Sequence, residues 1–167
     1  MALAIIQLDS ANPRAHGYAA VIHKIITDEV NLSQRSLREI RGLIAGKEVL
    51  LLLNGDEIVS FLFLTPLDKK LMEIHSMYTL PQYRGQGYMS KLLEHSIRTF
   101  DTKFFAVTFH EHTEKLLSKF SFKKVPFAVL SASAKFTFVV NRAKLHRILS
   151  VVSFMKKRRP IYLLKSD

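Results

Sequence analysis

The sequence predicts a mixed α/β (α+β) fold in a single domain. Short apolar runs typical of strands alternate with segments whose apolar residues recur at helical spacing. A length of 167 residues suits one domain with a sizeable core, and no linker, repeat or low-complexity tract divides the chain. We therefore expect one domain over residues 1–167, the last part of which, from about 141 to 167, is a basic C-terminal extension.

The first half of the chain predicts a strand, two helices and a hairpin. Apolar residues at helical intervals predict helices over residues 13–27 and 36–45, the second of which ends before Gly46, a residue common at helix C-termini. Asn54-Gly55-Asp56 lies between two apolar runs and is a hairpin signal. The strands expected in this half are residues 4–8, 49–53 and 57–65.

The second half predicts further strands and helices in alternation. Residues 71–80 are rich in β-favoured side chains and stop at Pro81, and a helical stripe predicts a helix over residues 85–99. A strand at 104–109 and a short helix at 111–119 follow. The remaining expected elements are strands near 122–130 and 135–140 and a basic, apolar helix over about 143–157.

The glycine-punctuated segment between the strand at 71–80 and the next helix predicts an anion site. Gly85 and Gly87 let the backbone approach a ligand without interference from a Cβ atom. The helix that follows directs its unpaired N–H groups and its positive dipole end toward the same place. A Walker loop is excluded because no Gly-Lys-Ser/Thr ending is present, and a dinucleotide fingerprint is excluded because the third glycine is missing.

The run Arg84-Gly85-Gln86-Gly87-Tyr88-Met89 resembles the acyl-CoA loop of the GNAT superfamily of N-acetyltransferases. Arg84 and Gly87 match the first two fixed positions of the family pattern, while Met89 replaces a small residue at the third. The resemblance implies a mixed, mostly antiparallel central sheet that is splayed at the acyl-CoA site and flanked by helices. It also implies acetyl-CoA as co-substrate.

The resemblance assigns cofactor-binding roles to two neighbouring segments. The strand backbone around Met77, Tyr78 and Thr79 would hold the pantetheine arm. The pyrophosphate would lie on the loop, whose expected binding residues are Arg84, Gly85, Gln86, Gly87, Tyr88, Met89 and Ser90.

Two residues are candidates for the general base. Glu73 and His75 are two positions apart on one strand and project from the same face, and family members keep a Glu or a His at the corresponding positions. A protonated amine has no lone pair to attack with, so a base must first take its proton. Glu73 is preferred, because partial burial raises the pKa of a carboxyl group toward neutral pH.

The general acid of the family has no counterpart in this sequence. Leu117 stands where many members have the tyrosine that protonates the leaving CoA thiolate, and Ser121 stands where they have glycine. His110 and Thr113 replace the usual asparagine and alanine. No metal is expected at His110-Glu111-His112, because no further ligands lie at a familiar spacing.

Charge and composition bound the partners and the location. Residues 111–167 carry 13 Lys or Arg against three acidic residues, a bias that favours a polyanionic partner such as nucleic acid. The 143–157 segment could instead pack on the core or lie on an anionic membrane surface. With no cysteine, no membrane-length apolar run and no basic N-terminal signal, we expect a cytoplasmic protein without a membrane span; homodimer formation is left open.

The leading functional hypothesis is an N-acetyltransferase that moves an acetyl group from acetyl-CoA to a primary amine. The acceptor could be a small molecule, a peptide or an aminoacyl-RNA, and the sequence does not choose among them. The alternative is a catalytically weak binding or regulatory protein of the same fold that holds acyl-CoA and a polyanionic partner. Leu117 favours this alternative, whereas Glu73 and His75 favour the enzyme.

Overall fold

The computed structural model describes residues 3–29, 31–142 and 159–165. Seven strands and five α-helices lie within these ranges. In chain order they are β1 Leu3–Leu8, α1 Ala15–Asp28, α2 Leu37–Ala45, β2 Val49–Asn54, β3 Glu57–Asp68, β4 Leu71–Thr79, α3 Tyr88–Thr99, β5 Lys103–Thr108, α4 Glu111–Ser118, β6 Lys123–Lys124, α5 Ala132–Arg142 and β7 Ile161–Lys165.

The strands form a mixed, mostly antiparallel sheet in the order β1-β2-β3-β4-β5-β7-β6. The pairs β1–β2, β2–β3, β5–β7 and β6–β7 are antiparallel, whereas β4 and β5 are parallel. The predicted fold class is therefore confirmed.

The chain divides into two compact units. The first unit holds Met1–Leu64 and Ser76–Thr99, and the second holds Thr65–His75 and Phe100–Asp167. The division falls inside β3 and inside β4. As a result, the loop before α3 belongs to the first unit, whereas Glu73 and His75 belong to the second.

The core of the first unit lies under α1 and α2. Every residue from Val49 to Leu53 is buried, as is every residue from Ile58 to Leu64, because these apolar strands are covered on both faces. Helix α2 begins with a capping box in which the Ser36 side chain accepts from the Glu39 amide and the Glu39 carboxylate accepts from the Ser36 amide. This cap fixes where α2 starts and which face it turns to the core.

The second unit has its own aromatic core around β5. Phe105 stacks on Tyr162 of β7 and meets Phe138 of α5 edge to face. The parallel ladder between β4 and β5 runs from Leu71 opposite Lys103 to Ile74 opposite Ala106 and ends there.

The prediction of a strand at residues 135–140 is wrong, because these residues lie in α5. The alternation of Lys135-Phe136-Thr137-Phe138 resembles a half-buried strand, but the segment starts at a helix N-cap. The Ser131 hydroxyl accepts from the Ala134 amide and donates to Asp68. With Ala134 and Phe138 buried four residues apart, the helix supplies an apolar face to the core, which decides against the strand.

The strand predicted near 122–130 shrinks to Lys123–Lys124, and the closing strand lies elsewhere. Ile161–Lys165 forms β7 between β5 and β6, so that these residues of the basic C-terminal range belong to the sheet. The helix expected over 143–157 lies outside the described residues. Among the helices in the described ranges, none is long and apolar enough to cross a membrane.

Candidate active site

The loop before α3 adopts the backbone conformation that its glycines permit. Gly85 and Gly87 both have φ of +77°, in the left-handed region that favours glycine. A Cβ atom built on either residue would meet nothing within 4 Å. The two glycines are therefore not required by packing inside the protein, and the space beside them can admit a ligand.

Helix α3 starts directly after this loop. The carbonyl of Gly87 accepts from the amide of Lys91 at 3.1 Å, which makes Gly87 the residue before the first helical turn. The amides of Tyr88, Met89 and Ser90 have no acceptor within the helix by its geometry, and the first turn contains no acidic residue. The arrangement suits a phosphate group. Met89 is half-buried, as is Ser90.

Arg84 braces the loop on the end of β4. Its Nε atom donates to the carbonyl of Thr79 at 3.1 Å, and its guanidinium lies 5.4 Å from the ring centre of Tyr78. A terminal nitrogen is 3.6 Å from a carboxylate oxygen of Glu29. These contacts give Arg84 a structural role in holding the loop in place.

The remaining loop side chains form a small hydrogen-bonded set. Gln86 donates to the carbonyl of Gln82 and accepts from the hydroxyl of Tyr88 at 3.0 Å. The Glu57 carboxylate accepts from Tyr83 at 2.7 Å and from Gln82 at 3.3 Å. The loop backbone is thus supported from both ends.

Met77, Tyr78 and Thr79 occupy the last part of β4. Ser60 donates to the carbonyl of Tyr78 at 2.8 Å and hydrogen-bonds the Thr79 hydroxyl at 2.9 Å. Met77 is half-buried. All the expected cofactor residues, from Met77 to Ser90, lie in the first unit.

Two phenols beside the loop are poor proton donors. Burial, together with the hydrogen bond that Tyr78 donates to Glu29, raises the pKa of Tyr78 from 10.0 to about 12. The hydrogen bond to Glu57 raises the pKa of Tyr83. Each hydroxyl donates a hydrogen bond to a carboxylate and is harder to deprotonate than a free phenol. Neither is therefore a good substitute for the general acid of the family.

Glu73 is buried and ion-paired. Its side chain is only 3% exposed, and both carboxylate oxygens accept from the guanidinium of Arg142, the last residue of α5. The Nη1–Oε2 distance is 3.1 Å. Glu73 thus makes a charge-assisted, two-pronged contact with a residue 69 positions away.

His75 is half-buried and lies one residue beyond the end of the β4–β5 ladder. Its Nε2 atom is 2.9 Å from the hydroxyl of Thr65, and donor and acceptor depend on the tautomer. Ser76, the next residue, has φ of +50°, an unusual value for a residue with a side chain. The strand therefore departs from regular geometry next to the candidate base.

Sequence reasoning missed Arg142 and Thr65 as neighbours of the candidate bases. Arg142 stood out only as one of many basic residues near the C-terminus, and Thr65 only as the end of a strand. Each partner is separated from its candidate base by ten or more residues. No local pattern in the sequence indicates either contact.

Two residues that depart from the family pattern, Leu117 and Ser121, belong to the C-terminal cap of α4. Leu117 is fully buried, and its carbonyl accepts from the amides of Phe120 and Phe122. Ser121 has φ of +67° and donates its amide to the carbonyl of Ser118. This is a Schellman arrangement with serine where glycine is usual.

The His110-Glu111-His112 run lies at the start of α4, with His110 as the N-cap residue. The His110 amide donates to the Thr108 hydroxyl, and its carbonyl accepts from the amides of Thr113 and Glu114. Within the described parts of the chain, no group of three or more His, Cys, Asp or Glu side chains is placed to hold a metal ion.

Comparison with known proteins places the chain in a family. The model of the Acetyltransferase (GNAT) family matches residues 10–119. No curated protein matches the chain by sequence at a significant level. The family match covers the loop, α3 and both candidate bases.

Solved structures with the same fold share little sequence with this chain. Rv2747 from Mycobacterium tuberculosis, in complex with CoA and NLQ, has a TM-score of 0.69 at 14% identity and covers 96% of this chain and 97% of its own. Arabidopsis thaliana Naa50, in complex with the bisubstrate analogue CoA-Ac-MVNAL, has a TM-score of 0.66 at 15% identity, with 100% of both chains covered.

A third similar structure belongs to a longer protein. N-acetylglutamate synthase from Neisseria gonorrhoeae, complexed with coenzyme A and N-acetyl-glutamate, has a TM-score of 0.68 at 16% identity. The match covers 99% of this chain, which spans about a third of the synthase, 35% of its length. The fold, the loop and the match over residues 10–119 lead to one conclusion: the chain belongs to the GNAT acetyltransferase family.

Proposed function

We propose that this protein transfers an acetyl group from acetyl-CoA to a primary amine. The observation that carries the proposal is the loop of two left-handed glycines with open space beside them, at the start of a helix without acidic residues in its first turn. Such a loop offers backbone amides and a helix N-terminus to a pyrophosphate. Family membership supplies the reaction class.

In the proposed reaction, the amine nitrogen attacks the thioester carbonyl carbon of acetyl-CoA. The C–N bond forms, the C–S bond breaks, and CoA leaves as a thiolate. The amine must first lose a proton, which His75 or Glu73 would accept directly or through water. Once the C–N bond has formed, the nitrogen loses its second proton, which reaches the leaving thiolate through water, since Leu117 occupies the place of the family tyrosine.

The contacts of the two candidate bases favour His75. Both oxygens of Glu73 are engaged by Arg142, and its side chain is almost fully enclosed. His75 is half-buried, and its ring nitrogen meets a neutral hydroxyl. A neutral imidazole with a pKa near 6.5 in peptides can accept a proton at neutral pH.

The acceptor that we propose is an amine on a small molecule or on a peptide N-terminus. The N. gonorrhoeae synthase holds N-acetyl-glutamate and Naa50 holds a peptide-linked analogue, so the fold accommodates both kinds of ligand. An aminoacyl-RNA remains in the proposal because residues 111–167 are strongly basic. The absence of cysteine fits a reducing compartment such as the cytoplasm.

The proposal is tested by binding and by turnover. Acetyl-CoA at about a hundredfold over its dissociation constant should stabilise the fold by roughly 2.7 kcal/mol. Thiol release from acetyl-CoA should then rise with one of a panel of amines, including glutamate, short peptides and aminoacyl-RNA. A melting temperature that does not change with acetyl-CoA but rises with an unrelated ligand would contradict the proposed function.

A second candidate function is acyl-CoA binding without efficient catalysis. Leu117 and Ser121 favour it, because the position of the family acid is a buried packing residue and the turn beside it has lost its glycine. The two functions differ in one measurement. A protein that is stabilised by acetyl-CoA yet releases no thiol with any amine in the panel is a binding protein.

RNA binding through the basic C-terminal part has its own test. Affinity for RNA should fall with salt, with a log–log slope that decreases by about one for each phosphate contact removed. Replacing Lys123 and Lys135, which lie in the described part of this region, should flatten the slope. Unchanged binding at high salt would argue against a polyanionic acceptor.

A further inference from the structure

The ion pair of buried Glu73 and half-buried Arg142 links two elements of the second unit. Glu73 lies in β4, two residues before His75, and Arg142 ends α5. Helix α5 is held at its start by the contact of Ser131 with Asp68 and along its length by Phe138 in the aromatic core. The Glu73–Arg142 contact holds its end.

Arg142 is itself fixed by several contacts. Its guanidinium carbon lies 3.5 Å from the ring centre of Phe138, and Nη1 is 3.4 Å from the Phe138 carbonyl. The same nitrogen and its neighbour engage both oxygens of Glu73. A planar guanidinium meets a carboxylate with two parallel hydrogen bonds, a geometry that a lysine cannot reproduce.

We infer that Glu73 and Arg142 act as one positioning unit, which ties α5 to the strand that carries His75, and that Glu73 does not take the amine proton. This inference rests on the proposed function. A carboxylate must present an oxygen to the proton that it accepts. For Glu73 to do so, the amine would have to displace the guanidinium from a buried carboxylate, leaving the charge of Arg142 without its partner.

The two possible roles of Glu73 predict opposite effects for one substitution. If Glu73 is the base, Arg142→Gln releases it, so activity stays the same or rises, while Glu73→Gln lowers kcat by a hundredfold or more. If the pair positions β4, both substitutions lower kcat/KM for the amine by a similar factor, roughly 3–30-fold, and leave the KM for acetyl-CoA unchanged. Arg142→Lys should recover part of the loss, since it restores the charge without the two-pronged contact.

The double substitution and the pH profile complete the test. For a positioning pair, Glu73→Gln with Arg142→Gln should be no worse than either change alone. Both single variants should retain the rise of kcat/KM with pH that reports the base, and His75→Ala should abolish it. Loss of that rise in Glu73→Gln, with full activity in Arg142→Gln, overturns the inference.

Thermal melting tests the pair independently of catalysis. Each single variant should lower the melting temperature by roughly 5–10 °C, because Arg142→Gln leaves the buried Glu73 carboxylate without its partner and Glu73→Gln leaves the half-buried guanidinium without its counter-charge; the double variant should lie close to the singles. Strictly additive changes overturn the inference even if no amine is turned over. Coupling in the melts without turnover by the wild-type protein would instead contradict the proposed enzyme while leaving the positioning unit in place.

Discussion

The loop before α3 and the turn after α4 both place residues in the left-handed backbone region, but with different residue types. The loop uses Gly85 and Gly87, whereas the turn uses Ser121. A side chain in this region carries a steric cost of about 1–2 kcal/mol, which glycine avoids. The loop before α3 has glycine where its conformation requires it, while the turn after α4 tolerates strain.

The two segments also differ in what surrounds them and in what their backbone has to do. Beside the loop glycines there is open space, so backbone amides can meet a ligand. After α4 the chain only has to end a helix, and the carbonyl of Leu117 accepts the amides that close it. The loop before α3 thus leaves room for a ligand beside its backbone, whereas Leu117, at the end of α4, is part of the core.

The strongest test of this contrast is Leu117→Ala. Leu117 is fully buried, and removing its side chain should lower the free energy of unfolding by about 2–5 kcal/mol. Chemical denaturation measures the loss. The shift of the melting temperature by acetyl-CoA should persist, because Leu117 serves packing. A variant of native stability that loses thiol release would show a role in the reaction instead.

Gly87→Glu should remove acetyl-CoA binding. The new carboxylate would repel the pyrophosphate, so the stabilisation of roughly 2.7 kcal/mol at saturating acetyl-CoA should vanish from the melting curve. Gly87→Ala carries the same backbone strain without the charge and should retain part of the shift. Gly42→Glu places a charge on an exposed helix residue and should retain all of it. Equal loss in all three variants would contradict a phosphate site at this loop.

Ser121→Gly should stabilise the protein. Relief of the left-handed strain, less the greater freedom of glycine in the unfolded chain, leaves a gain of about 0.5–1 kcal/mol in the free energy of unfolding. Ser118→Gly, at the end of α4, is the matched control and should destabilise by up to about 1 kcal/mol. A loss of stability in both variants would show that the hydroxyl of Ser121 matters more than its backbone.

The effect with the narrowest pH range is expected from Tyr78, whose contribution changes only at alkaline pH. Its folded pKa of about 12 exceeds the unfolded value of 10.0, so the folded state retains the proton longer than the unfolded state. The contribution of this group to stability is complete below pH 10 and is lost as the pH rises toward 12. The wild-type protein should therefore lose stability more steeply than Tyr78→Phe between pH 10 and 12. Parallel curves would rule out the raised pKa.

Most of the first unit could be predicted from local sequence signals. The capping residue Ser36, the hairpin at Asn54-Gly55 and the glycines of the loop each act through neighbours within a few positions. The bounds of α1, α2 and β2 accordingly fall within two residues of their predictions.

In the second unit, local sequence signals do not predict all of the secondary structure. The alternating residues of 135–140 favour a strand, yet Ser131 and the burial of Ala134 and Phe138 make a helix of them. The closing strand β7 carries no turn or pattern that sets it apart from other short apolar runs. Its place in the sheet depends on pairing with Val107 and Lys123, neighbours that are distant in sequence.

The sequence by itself determined the loop at Gly85 and Gly87 and the start of α3, because the conformation of glycine and the start of a helix are local properties of the chain. It also placed both candidates for the general base, Glu73 and His75, on one strand. Only the tertiary structure decided their surroundings: Glu73 meets Arg142 across 69 positions, and His75 meets Thr65 across ten. Contacts of this kind follow from how strands and helices pack, and that packing is fixed by the whole core rather than by the residues on either side.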